Sequence, residues 1–146
     1  MAEAAVENAI DLTKYTEQLH EALAQHTPCV VATADAKGNV DIGLKGSVMV
    51  WDRDHLAYLE RTHGVHLQHL QENKHIAIQY YNRQNTPAMI RFFGEAELLE
   101  SGPLRDEIRS KTIAPELAKD PDNRGIIVLI RIDKVIEPGG KTFLRS

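Results

Sequence analysis

Ile126, Ile127, Val128, Leu129 and Ile130 follow one another with no polar residue between them. Successive side chains of a strand point to opposite faces, so such a run must be covered on both sides. A barrel wall gives one cover. A dimer interface or an N-terminal helix gives the other. The last long segment, residues 125–137, is thus predicted to be the most deeply embedded strand of the chain.

The segments before it supply the partners. Asp11 is placed to cap a helix running to about Gln25, with Leu12, Tyr15, Leu19 and Leu23 on one apolar stripe. The period then changes to two. Residues 28–34 read as a strand, Asp35 to Asn39 as a hairpin loop, and residues 40–50 as a second strand. In that second strand Val40, Ile42, Leu44, Gly46, Val48 and Val50 share one face, and Asp41, Gly43, Lys45, Ser47 and Met49 share the other. Gly46 marks a bend or a close approach. Further strands are predicted at residues 55–61, 75–81 and 88–99. Short helices are expected at 65–73, 104–111 and just after Ala114. Pro138-Gly139-Gly140 is expected to end the domain. About six strands with helices inserted between them indicate an antiparallel barrel, and the absence of alternating βαβ units excludes a parallel nucleotide-binding sheet.

The 146 residues suit one domain, expected over residues 11–146 behind a mobile segment of residues 1–10. A net charge of −4 and the lack of a Lys/Arg run argue against a nucleic-acid partner. No apolar stretch approaches the ~20 residues of a membrane helix, so no membrane partner is expected. The acidic N-terminus lacks a secretory pattern, and the lone Cys29 cannot form an internal disulfide, which together predict a cytoplasmic protein. Cys29, opening an apolar run, reads as a small buried hydrophobe.

Neither a nucleophile elbow nor a phosphate loop is present. The chemistry concentrates in residues 45–70. Lys45 and Ser47 on one strand face would lie about 7 Å apart. Glu60-Arg61-Thr62 ends a strand, and a glycine and a helix start follow; unpaired N–H groups at that start, with Arg61 and Thr62 before them, suit a phosphate. The alternative is that Lys45 and Arg61 are solvated charges and Gly46 a bulge. His63, His66 and His69 recur every third residue, but the spacing is poor for zinc or iron, and no metal site is predicted. A contact from His66 to a phosphate is the better reading. Trp51, Tyr80 and Tyr81 read as core or interface residues.

The order of these segments resembles that of pyridoxamine 5′-phosphate oxidase-like proteins. Residues 31–40 resemble their first hairpin, and Gly46-Ser47-Val48-Met49-Val50 their second barrel strand. Glu60-Arg61-Thr62-His63-Gly64, with Leu67, Leu70 and Asn73 beyond, is similar to their phosphate turn and helix. Phe92-Phe93-Gly94-Glu95-Ala96 is similar to their Gly-x-Ala strand. The resemblance covers residues 28–137. It implies a mainly β fold with small helices, a six-stranded antiparallel split β-barrel of the FMN-binding type, working as a homodimer. It further implies an FMN-dependent oxidoreductase of unknown small-molecule substrate or electron donor, with FMN between the subunits. By position, Arg61, Thr62, His66 and Leu67 would meet the phosphate, and Lys45, Gly46, Ser47 and Val48 the isoalloxazine. No catalytic side chain is nominated. A deazaflavin cofactor or haem in the same cleft, or a non-catalytic cofactor-binding role, are the alternatives. Two features depart from the family pattern. Val65 and His66 stand where many members carry Arg or Lys, and His69 where Asn is frequent. A neutral imidazole holds phosphate less firmly than an ammonium group. Because the chain stops soon after Leu144, vitamin B6 oxidation is not the expected activity.

Overall fold

The computed structural model describes residues 6, 7 and 9–145. The remaining residues of the segment expected to be mobile, 1–5 and 8, lie outside that range. Within it, β1 (Val6–Glu7) pairs in parallel with the last strand, β9 (Lys141–Leu144). Neither strand was expected, because two and four residues carry too little pattern to read. Instead of ending the domain, Pro138–Gly140 forms a turn, with Gly139 at φ 81°, that sends β9 back along β8 (Ile126–Glu137).

The predicted first helix is shorter than its apolar stripe suggests. Asp11 accepts from Thr13 N–H and caps a 3₁₀ turn, Leu12–Tyr15, which leads into α1 (Thr16–Glu21). The β3 (Val40–Lys45) segment covers only the first part of its expected strand, whereas β2 (Cys29–Ala34) and β6 (His75–Tyr81) follow the sequence reading closely. So do β5 (His55–Glu60), α2 (Val65–Glu72), β7 (Met89–Leu99), α3 (Pro103–Ser110) and α4 (Ala114–Leu117). Residues 40–50 do not form one strand. The ladder with β2 stops at Lys45, and β4 (Met49–Val50) pairs with β5 instead, so Lys45 and Ser47 are not neighbours on one face.

The sheet is almost wholly antiparallel and curls into a half-barrel in the order β1-β9-β8-β7-β6-β2-β3. Strand β8 has β7 along one side. On the other it pairs with β5 through Ile126–Arg131 and with β9 through Lys134–Glu137. This division of one long strand between two partners splits the barrel. Where β7 shifts register at Phe93/Gly94, a Cβ on Gly94 would collide with the Arg131 carbonyl. Glycine is therefore required for the β7 and β8 backbones to approach.

Two cores result. Leu12, Tyr15 and Leu19 fill the barrel mouth against Val31, Phe92 and Ile130, with the Tyr15 and Phe92 rings edge-to-face at 5.5 Å. On the opposite face of β8, Ile127 and Leu129 pack with Ala57, Leu59 and the fully buried Ile108 of α3. The apolar run is thus covered on both faces from within the chain, by the barrel interior and by α3. It needs neither a second copy nor the N-terminal helix on its outer side.

Candidate functional site

The residues expected at a cofactor lie at the junction of β3, β5 and α2, and most already have partners. Lys45, the last residue of β3, reaches across to the last residue of β5. Its Nζ lies 2.9 and 3.0 Å from the two oxygens of Glu60, a carboxylate only 2% exposed. Thr62 Oγ1 donates to the same carboxylate at 3.2 Å. Arg61 Nε donates to Glu116 Oε2 at 2.8 Å, and the other Glu116 oxygen fills the space a side chain at Gly46 would need. Two cations and two carboxylates therefore interlock here. A buried pair of this kind is costly to break, because one unpaired charge is left behind.

Ser47 and Val48 are buried in the turn between β3 and β4. Ser47 Oγ accepts from Leu59 N–H at 2.9 Å and donates to Leu59 C=O at 3.3 Å. A side chain thereby replaces the ladder bonds lost at the break between β3 and β4, and the hydroxyl is occupied structurally. Beneath Lys45 lies the Tyr58 ring, its centroid 5.7 Å from Nζ. Burial, reinforced by the charge of Glu60, pushes the Tyr58 hydroxyl far above its ordinary pKa and keeps it neutral. Its oxygen is buried with no hydrogen-bond partner among the described residues.

The α2 start is open. Gly64 precedes it and supplies no side-chain cap for its first N–H groups, and Thr62 Oγ1 lies 3.5 Å from where a Cβ on Gly64 would stand. Leu67 turns its side chain into the protein. His66 points away from that opening: its Nδ1 lies 2.9 Å from Thr33 Oγ1, and its Nε2 lies 3.7 Å from Asp41 Oδ2. Burial holds the His66 imidazole below its ordinary 6.5, and the charge of Lys45 adds to this while Asp41 and Glu60 oppose it. His69 Nδ1 also lies 2.9 Å from Thr33 Oγ1. His63 turns elsewhere, bonding the Arg124 carbonyl.

Sequence reasoning found the cations and missed the anions. Glu60 was visible beside Arg61, but the alternation did not show that its carboxylate turns inward. Glu116 lies 55 positions from Arg61 in an unpatterned segment, and no local signal ties the two together. Of the aromatic residues, Tyr80 is buried as expected, while Tyr81 is 53% exposed. Cys29 is buried, and burial pushes its thiol up to about 12.

An antiparallel half-barrel with a cation-bearing turn before a short helix defines a split-barrel protein of the pyridoxamine 5′-phosphate oxidase-like class. The family model described as pyridoxamine 5′-phosphate oxidase matches residues 15–135, and the chain belongs to that family. Among solved structures, a candidate pyridoxamine 5′-phosphate oxidase from Lactobacillus delbrueckii is 26% identical, with 88% of this chain and 96% of that one covered and a TM-score of 0.67. HupZ of Group A Streptococcus is 25% identical, with coverages of 85% and 94% and a TM-score of 0.64. An FMN-binding protein from Syntrophomonas wolfei shares the fold at 17% identity, with coverages of 87% and 90% and a TM-score of 0.59. Comparison with curated proteins finds no match.

Proposed function

We propose that the chain is a flavoprotein of this family, an FMN-dependent oxidoreductase of small molecules that works as a homodimer with FMN between the barrels. The observation that carries this reading is the Arg61–Gly64 turn opening onto the uncapped start of α2, with Lys45 across from it. These residues fit a phosphorylated cofactor on one condition: Arg61 exchanges Glu116 for the phosphate. Arg61, the Thr62 hydroxyl and the N–H groups of Val65, His66 and Leu67 would then hold the phosphate. The segment from Lys45 to Val48 would lie along the ring, with Lys45 held in place by Glu60. Bound FMN supplies hydride and electron transfer. The protein's part is position and charge.

The dimer rests on β3. Its outward residues Val40, Ile42 and Leu44 are 76%, 68% and 67% exposed, and on its far side β3 has no partner strand among the described residues. Two adjoining grooves, of about 550 and 270 Å³, share Ala32, Ala77 and Phe93 on the same outer sheet face. A second copy is the natural cover for an apolar patch next to the cofactor cleft.

The paired carboxylates and Val65 favour a second reading. A site whose cations are already neutralised suits haem or a binding role without catalysis, while a deazaflavin cofactor, itself phosphorylated, would need the same release of Arg61 as FMN. Calorimetric titration with FMN, a deazaflavin cofactor and haem separates the readings. Under the first reading, FMN binds and Arg61→Ala weakens it by about 1.5–3 kcal/mol, roughly tenfold to a hundredfold. Unmeasurable FMN binding alongside tight haem or deazaflavin binding would replace it with the second.

A further inference from the structure

Two imidazoles on successive turns of α2 meet one hydroxyl on β2. Thr33 is buried, and its Oγ1 lies 2.9 Å from both His66 Nδ1 and His69 Nδ1. A hydroxyl carries one hydrogen, and a neutral imidazole carries one N–H. If Thr33 gives its hydrogen to one ring, the other ring must donate to the Thr33 oxygen. The two histidines then hold opposite tautomers. Asp41 decides which is which: it faces Nε2 of His66, favouring the proton there. His66 Nδ1 therefore accepts from Thr33, His69 Nδ1–H donates to Thr33, and His69 Nε2 keeps a lone pair. The His66 ring is fixed by packing, since a Cβ on Gly43 would lie 2.7 Å from its Nε2.

We propose that Thr33, His66 and His69 form a pH-responsive latch that holds α2 against β2. The proton count defines its action. A proton on the free Nε2 of His69 leaves both bonds to Thr33 intact. With a proton there, another on His66 Nδ1 displaces the Thr33 hydrogen and places two cations against one buried oxygen. That proton opens the latch. The surrounding charges are set on both sides of it. Asp41 and Lys45 of β3 and Glu60 of β5 face His66, while the charge of His69 reaches Asp35 of the hairpin. Glu72 of α2 accepts from Ala36 N–H and pins the helix end to the same hairpin. The latch does not depend on the cofactor reading.

Histidine nitrogen NMR on the full chain tests it. Above neutrality, the expected result is the Nε2–H tautomer for His66 and the Nδ1–H tautomer for His69. On acidification, loss of the neutral His66 signal should coincide with faster amide exchange across α2. Thr33→Val should move His69 to the Nε2–H form common in solution, and Thr33→Ser should preserve the wild-type pattern. Like tautomers on both wild-type rings would overturn the latch, whether or not the valine variant folds. So would a His69 signal unchanged by Thr33→Val, or α2 exchange indifferent to the state of His66.

Discussion

Strands β8 and β3 carry apolar residues of similar kind and meet opposite fates. In β8, Ile127 and Leu129 on one face and Val128 and Ile130 on the other are all buried within the chain. In β3, Val40, Ile42 and Leu44 stand on the outer surface, while Gly43 lies under an imidazole and Lys45 turns to Glu60. Periodicity identifies which side chains travel together. It does not say which group faces the core when neither face is strongly polar. The apparent need for a partner sits on the strand with ordinary alternation, and the strand with the longest apolar run is self-sufficient.

Removing the cover from β8 should produce the largest effect. Ile108→Ala empties the contact between α3 and the outer face of β8 and is expected to cost about 2–5 kcal/mol, read by chemical denaturation. A loss below about 0.5 kcal/mol would mean that α3 does not close that core. Next comes the turn that seats α3. Asp120, although buried, accepts from the N–H groups of Arg124 and Gly125 and from Arg109, and these bonds hold its carboxyl below the ordinary 3.8. The unfolded chain therefore binds this proton more readily. The stability Asp120 contributes is present above the ordinary value and is lost as pH falls through the folded one. Asp120→Asn should lower stability at neutral pH and flatten its acid dependence; an unchanged acid slope would assign the effect to other groups.

The smallest effect on folding, and the sharpest on assembly, belongs to β3. Ile42→Glu should leave the stability of a single barrel within about 0.5 kcal/mol yet convert the protein to a monomer in sedimentation. A wild type already monomeric at micromolar concentration would remove the reason for the exposed apolar row.

Much of the barrel was legible because its long strands and α2 carry their own signals: period-two alternation and turn residues at Asp35 to Asn39. The failures have specific physical causes. β1 and β9 are held by pairing with each other and with β8, and nothing in so short a segment announces that. The break after Lys45 is supported by a serine hydroxyl acting as backbone, which alternation cannot reveal. At the candidate site the cationic residues stood out by their position in a turn. Their carboxylate partners, and the shared hydroxyl of Thr33, exist only once distant strands have been brought together.

The seclusion of Cys29 makes the molecule its own reporter. The chain has a single sulfhydryl, and it sits inside the main core with its ionisation suppressed. Thiol reagents attack the ionised form, so alkylation must wait for the barrel to breathe. Labelling speed thus becomes a clock for opening, slowed by any molecule that clasps the native state and hastened by any substitution that loosens it.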